Sequence, residues 1–155
     1  MYKRQNLESY LRDGDGPLLV LDAHAHPWLA TADAAAAIAQ RSTAVLARNA
    51  TPLVESASVV LPGASWAETE GTYTSSEGIV QHARRALPPT GQSQPAWQVV
   101  YALARHLGHE QERHVSPRVL FAEMAAETAA FAGMTYGRLK SEPGMPIHGE
   151  VDRVG

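Results

Sequence analysis

Apolar positions in the first sixty residues fall into short unbroken runs separated by capped, alanine-rich or turn-forming stretches. Leu18 to Leu21 follows the turn formers Asp13-Gly14-Asp15-Gly16 and has the pattern of a buried strand. Thr31 offers an N-cap to "ADAAAAIAQ", where the alanines favour helix and Ile38 supplies an apolar contact. "STAVLA", 42–47, reads as a second buried strand. Thr51-Pro52 then places a cap and a proline where a helix begins, with Leu53, Val54 and Ala57 as its short apolar face. "SVVLP", 58–62, is a third strand, stopped by Pro62. Strand, helix, strand, short helix, strand predicts a parallel, doubly wound α/β sheet.

Past Pro62 the rhythm is lost. Residues 63–96 are rich in Gly, Ser, Thr and Pro without a sustained period, and read as a long ordered loop or extended segment. Helical spacing returns with Trp97, Val100, Tyr101, Ala104 and Leu107, ended by Gly108. A second helix runs from the cap Ser116 and Pro117 toward Gly133, with Leu120, Phe121, Met124, Thr128 and Phe131 as its buried stripe. No internal repeat is visible. The expected layout is an N-terminal flank or incomplete segment over 1–16, a partial α/β domain over 17–140, and a fraying tail over 141–155.

Composition narrows the chemistry. A hydrophobic share of 45% and a charged share of 19% describe a globular chain of 155 residues. A net charge of −3 with mixed signs leaves no electrostatic footprint for nucleic acid. The sequence has no cysteine, which removes disulfides, thiolate zinc sites and iron–sulfur ligation by these residues. No apolar run approaches the roughly 20 residues of a membrane helix, and the N-terminus lacks the apolar core of a signal peptide.

His24 and His26, one residue apart at a strand end, face the same side and have the spacing of a metal pair. A barrel hydrolase built on such a pair needs ligands from later strands of a chain of about 250 residues. The bland alternative is a polar strand-to-helix turn directed by Pro27 and Trp28. Glu68 and Glu70, with Glu77 beyond, are carboxylates whose ordinary role is solvated or backbone-capping, although such pairs can serve acid/base work. Arg84-Arg85 offers a phosphate or carboxylate contact, or a solvated face. No phosphate-binding loop and no G-x-S-x-G elbow occurs.

The most specific signal is an ordered series of short matches. It comprises Ala57 to Pro62, Glu68, Gly71-Thr72-Tyr73-Thr74, Glu77-Gly78, Gln81, Arg84-Arg85, Pro88-Pro89-Thr90-Gly91, Trp97-Gln98-Val99 and "FAGMTYGRL" over 131–139. Together these resemble the molybdopterin oxidoreductase family from about residue 43 onward, and loosely from 17. The resemblance implies a partial Rossmann-like doubly wound sheet, then a long loop and C-terminal helices, as a fragment of a larger domain. Iron–sulfur cysteines and most pterin-binding segments would lie upstream.

Departures from the family pattern bear on the branch. Ala47-Arg48-Asn49 stands where an acidic residue is common, Thr69 where Lys is common, and Ala96 where Asp is common. Ser75 replaces an Asn and Ile79 an Arg. Each exchange removes a partner that phosphates or a guanine base would need, and burying such groups unpaired is costly. In this respect the chain resembles the C-terminal region of the molybdenum-enzyme-like subunit of NADH-quinone oxidoreductase, bacterial respiratory complex I. That implies a scaffold with no catalytic residues and no cofactor of its own, in a subunit carrying iron–sulfur clusters elsewhere and passing electrons from NADH toward quinone. Its partners would be the rest of that subunit and other subunits of the respiratory complex, with neither nucleic acid nor membrane insertion. Its location would be cytoplasmic, peripheral to the inner membrane. The alternative is part of a formate dehydrogenase or nitrate reductase-like alpha subunit holding a molybdenum or tungsten bis-pterin guanine dinucleotide, with Glu68, Thr72, Glu77 and Gln81 nearest the cofactor. A small metal hydrolase using His24 and His26 is the distant third.

Overall fold

The computed structural model describes residues 15–21, 31–109 and 115–149. It divides into two compact units, Met1–Ser65 with Pro89–Tyr101, and Trp66–Pro88 with Ala102–Gly155.

The first unit contains β1 (Leu18–Leu21), α1 (Ala32–Ile38), β2 (Thr43–Ala47), α2 (Pro52–Glu55) and β3 (Val59–Pro62). The strands lie in the order β1-β2-β3, all parallel, with Val20 beside Val45 and Val45 beside Val60. Parallel neighbours need crossover connections. The α1 stretch lies between β1 and β2, and α2 between β2 and β3, as the sequence pattern predicts. At α2 the local chemistry is visible: Thr51 Oγ1 accepts from the Val54 N–H at 3.3 Å, and Pro52 takes a position whose N–H needs no partner.

Leu18, Val45 and Ala47 on one face of the sheet pack with Ile38 of α1 and Leu53 of α2; Ile38, Val45 and Leu53 are completely buried. Thr43 is the buried polar residue there, and it is satisfied. Its N–H donates to Ser58 Oγ at 3.2 Å and its hydroxyl to the Arg41 carbonyl at 3.1 Å. Arg41 in turn donates to the Asp15 and Gly16 carbonyls, at 2.9 and 3.1 Å, clamping the turn that leads into β1. Beyond β3, Gly63 forms an isolated parallel bridge with Gln94, tying residues 90–95 to the strand end.

The opposite face is unevenly covered. Leu46 is buried at its centre, yet Leu19, Leu21 and Val59 on the flanking strands are 44, 50 and 51% exposed. An all-parallel sheet ordinarily has both faces covered.

The second unit holds a sheet in the order β4-β5-β6, made of β4 (Gly71–Thr74), β5 (Ile79–Ala83) and β6 (Met145–Pro146). Both pairs are antiparallel. Of the helices, α3 (Ala96–His106) begins in the first unit and ends in the second, while α4 (Pro117–Glu127) and α5 (Tyr136–Ser141) belong to the second. Ser116 caps α4 and Thr135 caps α5, their side-chain oxygens accepting from Val119 N–H and Arg138 N–H. The core is Val80, Phe121, Met134, Tyr136 and Leu139, with Phe131, Met145 and Ile147 against it.

The structure sharpens three expectations. The ordered loop or extended segment over 63–96 contains a 3-10 turn at Trp66–Glu68 and the β4–β5 hairpin. Those strands are short and carry one fully buried residue, Val80, so two-residue alternation has almost nothing to display. Residues 142–149 are tied into the second unit. Met145 pairs with Val80, Ile147 N–H donates to the Gly78 carbonyl, and His148 N–H donates to the Ala130 carbonyl. In α4, Phe121 is buried, but Met124 is 36% exposed and Thr128 is the C-cap rather than part of a buried stripe. Among the described residues, no helix is long and apolar enough to cross a membrane.

This packing has two measurable consequences. A Cβ at Gly144 would lie 2.5 Å from Ile79 Cγ2 and 3.1 Å from Gln81 Cγ. Gly144→Ala is therefore expected to cost about 1–3 kcal/mol, read as a lower urea midpoint for the second unit. The flanking leucines and valine of the first sheet are expected to make the chain self-associate. Sedimentation should show mass rising with concentration, and the double variant Leu21→Lys, Val59→Lys should remain monomeric.

Candidate functional site

The family-like motif Gly71-Thr72-Tyr73-Thr74…Glu77-Gly78…Gln81 is the β4–β5 hairpin itself. Ser75 N–H donates to the Ile79 carbonyl and Gly78 N–H to the Ser75 carbonyl, both at 2.9 Å, leaving residues 76–78 as the loop. Gly78 has φ of 77°, the left-handed position that a three-residue hairpin loop requires and that glycine fills without penalty. The Ser75 hydroxyl accepts from the N–H groups of Glu77 and Ile79, at 3.3 and 3.2 Å. Ser75 therefore has a turn-forming task. The exchange of the family's Asn for Ser keeps a side-chain oxygen available for it.

The hairpin register fixes which side chains meet. Thr72 is opposite His82, and Tyr73 is opposite Gln81. Successive strand residues face opposite sides, so Thr72, Val80 and His82 share the face that packs on α5, and Gln81 lies on the other. On the packed face a polar cluster forms around Glu70. His82 presents Nε2 to Glu70 Oε1 at 3.4 Å, as the tautomer that donates to a carboxylate. The Tyr136 hydroxyl donates to the same oxygen at 3.1 Å. Lys140 Nζ approaches it at 3.5 Å and lies 5.1 Å from the Tyr136 ring centroid. The His82 side chain is only 4% exposed and meets the Tyr136 ring edge-on at 4.9 Å, whereas Glu70 is 45% exposed.

These contacts shift two groups. Hydrogen bonds from His82 and then Tyr136, together with the Lys140 charge, hold the Glu70 carboxyl below its ordinary value of 4.5 despite an opposing desolvation effect. Burial, and then the Glu70 hydrogen bond and charge, push the Tyr136 phenol well above its ordinary value of 10. The Tyr136 hydroxyl is thus held protonated, as the donor to Glu70. The sequence pointed only faintly to this cluster. Tyr136 and Lys140 stand one helical turn apart after a Thr cap, but pairing Glu70 with His82 requires the hairpin register.

The four residues expected nearest a cofactor do not converge on one point. Glu68 ends a 3-10 turn, and Thr72 faces the packed side of the hairpin. Glu77 is exposed in the loop. Gln81 lies on the far face, its amide donating to the Pro143 carbonyl at 3.0 Å. Arg84 and Arg85 are exposed. His24 and His26 lie outside the described residues. Among the described residues, no three His, Asp or Glu side chains are grouped to hold a metal ion. In the first unit Arg48 and Asn49 follow β2 at its carboxyl end, the edge at which open parallel sheets commonly bind ligands. They stand where the family commonly has an acidic residue, yet a guanidinium and an amide are themselves groups that can meet phosphate and base. Thr51 nearby is committed to its cap.

A parallel sheet with crossover helices gives the first unit the partial, Rossmann-like α/β class that its sequence pattern predicts. Comparison with known proteins makes this specific. The family model for molybdopterin oxidoreductase matches residues 22–106, more than half of the sequence. The chain belongs to the molybdopterin oxidoreductase family. It is 38% identical over 98 residues to F420-dependent formate dehydrogenase 2 subunit alpha of Methanococcus maripaludis, a match covering 56% of this chain and 14% of the relative. It is 37% identical over 80 residues to F420-dependent formate dehydrogenase subunit alpha of Methanocaldococcus jannaschii, covering 51% and 12%. A putative formate dehydrogenase of Staphylococcus aureus is 35% identical over 89 residues, covering 56% and 9%. The matched segment is thus a small part of each of these relatives.

The Glu70 cluster sets a pH dependence. A carboxyl held below its unfolded value stabilises the fold above that value and loses its contribution as pH falls through the lower, folded one. A phenol held above its ordinary value does the reverse, losing its contribution as pH rises past 10. Thermal melts of the second unit are expected to fall at both extremes, and Glu70→Gln should flatten the acid limb. An unchanged acid limb in that variant would contradict the assignment.

Proposed function

We propose that this chain is part of the catalytic subunit of a formate dehydrogenase-type molybdopterin oxidoreductase. The observation that carries this is the 38% identity to a formate dehydrogenase alpha subunit, within a match to the family that spans residues 22–106. When bound, a molybdenum or tungsten pterin supplies two-electron exchange with a small oxyanion such as formate. The described residues contribute binding and support. Arg48 and Asn49 would hold phosphate or base of the pterin nucleotide at the carboxyl end of β2. The rest of the same polypeptide and an electron-accepting subunit are the partners this reading requires.

The narrower expectation, a scaffold in the cluster-bearing subunit of NADH-quinone oxidoreductase, rests on Arg48, Thr69, Ile79 and Ala96 standing where the family has other groups. The formate dehydrogenase relatives favour the catalytic branch, and the structure supplies a turn-building reason for one further exchange, at Ser75. The test is purification of the native protein from molybdate- and tungstate-supplemented cells. Formate-dependent reduction of a viologen dye, with oxidised pterin released on denaturation, is the expected result. Arg48→Glu should lower the pterin content. NADH-dependent quinone reduction by a pterin-free protein would overturn the proposal in favour of the scaffold.

A further inference from the structure

Beside the packing of Val80 with Tyr136 and Leu139 and the His82–Tyr136 ring contact, the hairpin that carries the family's most ordered motif shares one carboxylate oxygen with α5. Glu70 Oε1 accepts from His82 on β5 and from Tyr136 on α5, with Lys140 of α5 at 3.5 Å. His82 and Glu70 belong to the hairpin side, Tyr136 and Lys140 to the helix side. We infer that Tyr136 and Lys140 are positioning residues, which fix the open end of the β4–β5 hairpin through the Glu70 carboxylate.

Three physical points support the assignment. A charged acceptor strengthens each hydrogen bond it receives. The donors come from a helix whose own start is pinned, since the Thr135 side chain caps it, and whose Tyr136 and Leu139 are buried in the core. The helix is thus an anchor, and the hairpin is the part it restrains. The surroundings also leave Glu70 as the shared acceptor. From β5 the facing polar group is His82. From α5 they are Tyr136 and Lys140, and from α4 the Tyr136 ring meets Phe121, which is apolar. The other charged pair of α5, Arg138 with Glu142 at 2.9 Å, closes on itself.

Positioning differs from general stabilisation in where its loss is felt. Amide hydrogen exchange of the full chain, in the Leu21→Lys, Val59→Lys background, reads this directly. Tyr136→Phe is expected to speed exchange at residues 71–74 and 79–83 by about three- to tenfold, the effect of losing one hydrogen bond to a charged group partly open to water, and Lys140→Met by about two- to threefold, the loss of a half-exposed ion pair. Exchange in α4 should stay unchanged, and Arg138→Met should leave the hairpin as it is. Protection factors in the hairpin should fall as pH drops through the Glu70 titration. In Glu70→Gln they should be lower at neutral pH and flat. The inference is overturned if both helix variants leave hairpin exchange at the wild-type rate. It is equally overturned if they accelerate the hairpin and α4 alike, which would mark simple loss of stability. Because no cofactor enters the experiment, its failure would leave the proposed function standing, and success would not depend on it.

Discussion

Burial of β2 is the constraint on which the first unit depends. Among the described strands of that unit it alone has neighbours on both sides, and its Thr43, Val45, Leu46 and Ala47 are all buried. Its register with β1 and β3 decides which residues meet Ile38 and Leu53. A slip of one residue would turn Val45 away from both helices. It also delivers Arg48 and Asn49 to the carboxyl edge of the sheet, where the fold class places its ligands. Packing and candidate chemistry in this unit are therefore set by one short run, "TAVLA".

The outer strands show what the described residues leave unfinished. Exposure at Leu19, Leu21 and Val59 contrasts with the burial of Leu46 between them. A sheet of this type gains its stability from cover on both faces, and the formate dehydrogenase relatives extend far beyond the matched segment. Fold and relatives agree that these residues belong in a larger architecture.

Much of the first unit was legible because its signals are local. Leu18–Leu21 formed the strand read from its apolar run, and Thr51-Pro52 formed the capped start read from residue type alone. The second unit was harder to read for a physical reason. Its elements are held by pairings far apart in the chain, such as Glu70 with Tyr136 and Val80 with Met145. Strands of two to five residues with one buried side chain carry no period to detect. The resemblance to the family marked the hairpin residues as important but could not say that Gly78 serves a left-handed turn, or that Gln81 points away from Thr72. Glu70, read as an ordinary solvated carboxylate, is half exposed and yet gathers donors from a strand and a helix. That is a tertiary fact with no sequence pattern behind it.

The most direct measurement of the account compares two neighbouring valines in register. Val45 on β2 and Val60 on β3 lie side by side, but Val45 is fully buried and Val60 is 46% exposed. At concentrations where the chain is monomeric, Val45→Ala should lower the unfolding free energy of the first unit by about 2 kcal/mol. Val60→Ala should cost less than about 1 kcal/mol. Equal losses at both positions, or a larger loss at Val60, would contradict a sheet organised around its central strand.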